Sequence, residues 1–315
     1  MAGSNRFVHI VDDVTDLGDD PVLVVALHGF LDAGNGSVLA VDHLESTGGV
    51  GPVVATFDVD VFHDYRARRP AISFVEDHYE SYDAPRLVVR VQRDATGRAF
   101  LLLSGPEPDN RWEAFAGAVR EVVEVLGVSL VVSLGSVPMA VPHTRPLAVT
   151  QHANRRELLL RANQWRGELR IPSSAHALLE VRLGESGHPM VGWVVHVPHY
   201  VQGSDYPEAA RALLSGVEDS TGLTFDLDAL KVAAERRTAE IAEHLAENPD
   251  VAELVAGMEQ QYDAFQRGID ESLLATDQPI PTGDELGAEF EKFLAGLDGP
   301  GAGSDETPDA PEGTD

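Results

Sequence analysis

Arginine is the residue type in this chain best suited to hold an anion. There are 21 arginines against 2 lysines, Lys231 and Lys292, and the arginines gather in two segments that follow predicted strands. One segment is Tyr65-Arg66-Ala67-Arg68-Arg69-Pro70; the other is His143-Thr144-Arg145-Pro146, with Arg155-Arg156 shortly after. A guanidinium presents forked donors that match phosphate or carboxylate. A third segment, His28 to Gly36, adds an imidazole, a carboxyl and an amide at His28, Asp32 and Asn35. Its backbone could cradle an anion at the start of the helix that follows. In open α/β sheets, ligands collect beyond the carboxyl ends of the strands. His28, Asp32, Asn35, Arg66, Arg69, His143 and Arg145 therefore form the candidate pocket, for a nucleoside- or phosphate-bearing ligand. The competing reading pairs the arginines with nearby acids such as Asp58, Asp60 and Asp64.

Other chemistries find less in the sequence. There is no cysteine, which excludes disulfides, thiolate metal ligands and cysteine nucleophiles. His28-Gly29-Phe30 after a strand is similar to an oxyanion loop, but the G-x-S-x-G elbow that such a site requires is missing. Val132-Ser133-Leu134-Gly135-Ser136 lacks the second glycine in register. No Walker A loop, G-x-G-x-x-G or H-E-x-x-H motif occurs, and the 12 histidines are scattered. No catalytic residue, metal centre or cofactor is expected.

These residues must be positioned by an α/β scaffold. Val22–Leu27 reads as a buried strand, a helix follows from about Asn35 to Leu44, and Val53–Phe57 is the next strand. Strand, Gly-rich turn, helix, strand predicts a βαβ unit with a parallel sheet. Leu87–Arg93 and Arg98–Ser104 read as adjacent strands around Asp94-Ala95-Thr96-Gly97. Trp112, Phe115, Val119, Val122, Val123 and Leu126 recur at helical spacing. Val128–Leu134, Pro146–Gln151 and Val191–Val197 are further strands. Ser173 or Ser174 caps a helix through Leu183, and Tyr206–Val217 is another helix, with Pro207 acceptable in its first turn.

The last third differs in kind. From Glu218 to Asp315 there are 25 acidic and 5 basic residues, against 27 and 18 in residues 1–217. The net charge of −29 argues against nucleic acid and anionic membranes as partners. Leu227–Leu245 and Val251–Leu273 read as two helices broken at Asn248-Pro249, a helical hairpin. Val251, Val255, Met258, Tyr262, Phe265 and Ile269 step by four and three, the spacing of a coiled-coil seam. That seam could pack on the core domain or on another subunit, and it is the candidate oligomer contact. The expected organisation is an α/β core over residues 1–222, an acidic helical hairpin over 223–275, an amphipathic segment over 276–298 and a disordered acidic tail over 299–315. No secretory signal or membrane span is visible, so a cytoplasmic location is expected.

Three sets of residues together resemble the proteasome assembly chaperone 2 family, in its bacterial, actinobacterial-like branch. They are Ala26-Leu27-His28-Gly29-Phe30-Leu31-Asp32-Ala33-Gly34; Phe57-Asp58-Val59-Asp60 with Asp64 to Pro70; and Gly135-Ser136-Val137-Pro138-Met139 with Val141 to Pro146. The resemblance spans roughly residues 20–220. It implies a phosphorylase/hydrolase-like three-layer α/β fold with a central, largely parallel sheet. It also implies relatives that act as chaperones in proteasome core assembly. Such chaperones often end in a hydrophobic-Tyr-any tail, whereas this chain ends Glu312-Gly313-Thr314-Asp315. Some relatives have been described as ATP-grasp proteins, which hold nucleotide phosphates with lysines; no lysine precedes Lys231. The expected function is a non-catalytic scaffold or assembly-chaperone-like protein that self-associates and binds protein partners. A small-molecule enzyme or sensor using the arginine-lined pocket is the alternative.

Overall fold

The computed structural model describes residues 6–12, 14–160, 168 and 170–274, with side chains described as far as residue 268. The predicted segments over 276–298 and 299–315 lie outside these residues. In chain order the strands are β1 (Val8–Ile10), β2 (Val22–His28), β3 (Val53–Phe57), β4 (Ile72–Val75), β5 (His78–Tyr82), β6 (Val88–Arg93), β7 (Ala99–Pro106), β8 (Leu130–Met139), β9 (Val149–Ala153) and β10 (Met190–Pro198). The helices are α1 (Gly36–Gly48), α2 (Val59–Phe62), α3 (Trp112–Val125), α4 (Ala175–Glu185), α5 (Pro207–Thr221), α6 (Asp228–Glu247) and α7 (Pro249–Leu274).

Eight strands form one mixed sheet in the order β1-β3-β6-β7-β2-β8-β10-β9. Its centre, β7-β2-β8-β10, is parallel throughout. Five strands, β2, β3, β7, β8 and β10, run the same way, while β1, β6 and β9 oppose them. The predicted βαβ unit is present as β2-α1-β3, but its two strands are not neighbours. The β6–β7 hairpin lies between them, and β3 pairs antiparallel with β1 and β6.

Apolar residues on both faces of the central strands produce the three layers. In β2, Val22, Val24 and Ala26 face one side; Leu23, Val25 and Leu27 face the other. On the first face, α1 and α5 bury Ala40, Leu44, Leu213 and Val217 against Val132 and Trp193. Leu230 and Ile241 of α6 join the same core. On the second face, α3 and α4 bury Phe115, Val119, Leu179 and Leu183 against Leu101, Leu103 and Val131. Ser174 caps α4 as expected, its hydroxyl accepting from Ala177 N at 3.1 Å.

β4 and β5 form a separate two-stranded ribbon that the sequence reading left out. The chain divides into two compact units, residues 1–262 and 263–315, so α7 begins in the first and ends in the second.

Candidate functional site

The carboxyl ends of β2, β3, β7, β8 and β10 bring the candidate residues to one edge of the sheet. They settle there into separate groups, each built around internal hydrogen bonds.

The first group is the Gly-rich loop after β2. Gly34 takes a left-handed φ of 68°, and a Cβ there would lie 2.8 Å from Tyr206 Cβ. Glycine thus lets the loop close onto its neighbours: Gly34 N donates to Gln202 O at 2.8 Å, and Tyr206 N donates to Gly34 O at 2.9 Å. Ser136, at the end of β8, donates through N to Leu31 O and through Oγ to Ala33 O. Asp32 turns back onto α1, where its Oδ1 accepts from Ser37 N at 2.6 Å. The helix N-terminus expected to cradle an external anion therefore already holds this carboxylate. Desolvation outweighs those hydrogen bonds and pushes the Asp32 carboxyl up to about 6. Asn35 is engaged as well, its Nδ2 donating to Asp205 Oδ1 at 2.7 Å.

The second group surrounds β3 and β7. Of the arginines in the 65–70 segment, Arg68 is the one that turns inward. Its Nη2 lies 2.7 Å from Asp109 Oδ2, and the same nitrogen donates to Glu107 O at 2.5 Å. Asp109 Oδ2 also accepts from Asp64 N at 2.7 Å. Arg66 and Arg69 are exposed. The ion-pair alternative thus holds for Arg68, with Asp109 rather than Asp58 or Asp60 as its acid. His28 sits above this group, with its imidazole held below the ordinary range by desolvation, then by the charges of Arg68 and His63. Glu107 is buried and ties two loops together: Oε2 accepts from Phe30 N at 2.9 Å and Oε1 from Ala175 N at 2.7 Å.

The third group joins the loop after β8 to α7. Tyr200 hydroxyl accepts from His143 N at 2.8 Å and lies 2.7 Å from His143 Nδ1. Desolvation lowers the His143 pKa, against the opposing pull of Glu259. Arg145 Nη1 lies 3.5 Å from Glu259 Oε1, and Thr144 hydroxyl donates to the same oxygen. One turn further along α7, Tyr262 hydroxyl donates to Pro146 O at 3.0 Å.

These contacts bear on the candidate seam. Val255 and Met258 are buried within the chain, Val251 and Tyr262 are partly buried, and Phe265 is exposed. The side chain of Ile269 lies outside the described residues. Among the described residues, no group of three or more His, Asp or Glu side chains has the geometry to hold a metal ion. No helix among them is long and apolar enough to cross a membrane.

Sequence reasoning missed Arg68, Glu107, Asp109 and Tyr200. Arg68 carries no signal that separates it from Arg66 and Arg69, since a loop has no fixed period. Glu107 and Asp109 follow a predicted strand, but neither lies in an arginine-rich or Gly-rich segment, and nothing local to them signals the distant partners they hold.

The fold and this edge define a three-layer α/β protein whose strand-end polar groups are cross-linked to one another and to a C-terminal helix. A model of the PAC2 family matches residues 26–245, and the chain belongs to that family. Among solved structures, the chain is similar to Rv2714 of Mycobacterium tuberculosis, a protein of unknown function: 43% identity, 86% of this chain and 94% of that one covered, TM-score 0.81. It is similar also to Rv2125 of the same organism, described as a proteasome-assembly chaperone homologue, at 32% identity over 74% of this chain and 99% of that one, TM-score 0.66. Pyrococcus furiosus PbaB, an archaeal proteasome activator, shares the fold at 18% identity over 76% and 99% of the two chains, TM-score 0.58. No curated protein matches the sequence.

Proposed function

We propose that this chain is a non-catalytic, assembly-chaperone-like scaffold that self-associates and captures protein partners. The observation that carries the reading is the internal engagement of the candidate pocket. Asp32 caps α1, Asn35 binds Asp205, His143 binds Tyr200, and Arg145 lies against Glu259. A small anion would have to displace these partners, and leaving the buried His143 unpaired would cost about 1–3 kcal/mol. Large exposed apolar side chains lie elsewhere, at Leu254 and Phe265 of α7 and on the β4–β5 ribbon. Membership in the PAC2 family and the 32% identity to a proteasome-assembly chaperone homologue support a chaperone-like role.

Native mass spectrometry of the full chain isolated from its own host tests this reading. Stoichiometric protein partners, weakened by Leu254→Ser with Phe265→Ser, are the expected result. A stoichiometric small molecule, lost on Arg69→Ala with Arg145→Ala, would overturn the scaffold in favour of a ligand-binding pocket.

A further inference from the structure

A groove of about 370 Å³ opens on the first face of the sheet, between α1 and β6. Strand register sets its floor. Ala26 pairs with Ser104, and Ser104 with Val88, so these three lie in one row across β2, β7 and β6 and share a face. Arg90 follows Val88 at a step of two, and Arg86 precedes it by two, so the arginines edge the strand side of the groove. Val38, Val41, Asp42 and Glu45 fall at i, i+3, i+4 and i+7 of α1, which places them on one helical face, and they form the opposite wall. Gly105 (φ 137°) lets the segment carrying Arg86 approach closely, since a Cβ there would lie 2.1 Å from Arg86 O. The groove thus has valines along its middle, carboxylates on the helix side and guanidiniums on the strand side.

The charged groups are used unequally. Arg90 Nε lies 3.6 Å from Glu45 Oε1, and Arg90 Nη1 donates to Gly51 O at 3.0 Å, so that pair closes one end. One turn earlier on α1, and four residues earlier on the strand side, Asp42 and Arg86 are exposed, and neither side chain makes an ion pair or hydrogen bond among the described residues. The Ser104 hydroxyl and the His28 imidazole, in the same lining, are likewise without a hydrogen bond there. Of the candidates for the strand-end pocket, His28 alone reaches this groove. These groups select by charge. A simple anion that reaches Arg86 also meets Asp42 and Glu45, and a simple cation that reaches Asp42 also meets Arg86 and Arg90. Desolvation holds His28 below the ordinary imidazole range, so it adds no third positive charge at neutral pH. A ligand that carries both charges satisfies both walls, with its carboxylate on the Arg86 fork and its ammonium on Asp42. The valines between them take an aliphatic side chain. The volume lies at the small end of the range for ligand pockets, about 300–1,000 Å³, which suits a single amino acid.

We propose that the groove between α1 and β6 binds a free α-amino acid with an aliphatic side chain, its carboxylate held by Arg86 and Ser104 and its ammonium by Asp42. The site goes beyond the scaffold reading and does not depend on it. It uses neither Arg69 nor Arg145, so a ligand bound here would survive their substitution. Isothermal titration calorimetry of the full-length chain at pH 7 with leucine, isoleucine and valine tests the assignment. At least one should bind with a Kd of about 0.1 mM. For the tightest of them, two analogues separate the charges: the amide keeps only the ammonium, and the deamino acid keeps only the carboxylate. Each should bind at least about 10-fold more weakly than the amino acid. Arg86→Gln should weaken the amino acid by a similar factor and leave the amide unchanged. Asp42→Asn should weaken the amino acid too, but leave the deamino acid no weaker. Both side chains are exposed and belong to neither core, so both variants should keep the parent's far-UV circular dichroism. No binding of any of the three amino acids at ~10 mM would overturn the site. So would binding that neither substitution changes.

Discussion

Asp32 offers a test of whether desolvation or hydrogen bonding dominates at the strand-end edge. Its carboxyl is raised from an ordinary 3.8 to about 6, with desolvation as the largest cause and bonds from Ser37 and Val38 opposing it. A carboxyl whose folded pKa lies above its unfolded value favours the fold when protonated. That contribution is fully present below pH 3.8 and is lost as the pH rises through about 6. Asp32→Asn keeps an oxygen acceptor for Ser37 N and stays neutral at every pH. The substitution should therefore be close to neutral near pH 3, become increasingly stabilising between about pH 4 and pH 6, and keep a constant advantage above that. At about 1.36 kcal/mol per tenfold change in proton affinity, the upper limit is about 3 kcal/mol. Asp32 is only partly buried, and solvent screening reduces the expected gain to about 1–2 kcal/mol at pH 8. For a chain of this size that corresponds to a rise of about 2–6 °C in Tm. Differential scanning calorimetry of parent and variant at pH 5, 6.5 and 8 reads the effect. A variant less stable than the parent at pH 8 would refute the reasoning, because the carboxylate's attraction to the start of α1 would then exceed its desolvation.

Other outcomes follow from the same kind of reading. His176 is buried with neither ring nitrogen hydrogen-bonded, and burial lowers its pKa to about 4. Its neutral form therefore supports the fold above pH 6.5, and this support drains away as the pH falls toward 4. His176→Phe should flatten that acid limb, stabilising the chain by about 2 kcal/mol at pH 5 in urea titrations; a loss of stability at pH 5 would contradict this. Glu107→Ala leaves Phe30 N and Ala175 N without their carboxylate, and should cost about 3–5 kcal/mol. Hydrogen exchange should then quicken at both amides, whereas unchanged protection at Ala175 would show that Glu107 does not hold the start of α4.

The sequence by itself determined the elements that bury apolar runs or stripes. Val22–Leu27 is continuously apolar, and Val191–Val197 nearly so, interrupted by His196, because both faces of these central strands are covered. Phe115, Val119 and Val122 recur at helical spacing because one face of α3 meets the sheet. These are local consequences of burial, and a period reveals them. The β4–β5 ribbon escaped the same reading because its alternation is broken by a bulge and its turn, Glu76-Asp77, has no glycine or asparagine to announce it. Glu76 takes a left-handed φ of 50° regardless.

Tertiary structure alone decided which polar groups meet. Arg66, Arg68 and Arg69 are interchangeable as sequence, yet only Arg68 reaches Asp109, 41 residues away. Glu107 reaches Ala175 across 68 residues, and Thr144 reaches Glu259 across 115. Strand order made the same kind of choice when the β6–β7 hairpin came between β2 and β3. Periodicity records whether a residue is buried, because burial acts on each element separately. It carries no record of the distant partner, because that pairing exists only once the elements have been placed against one another.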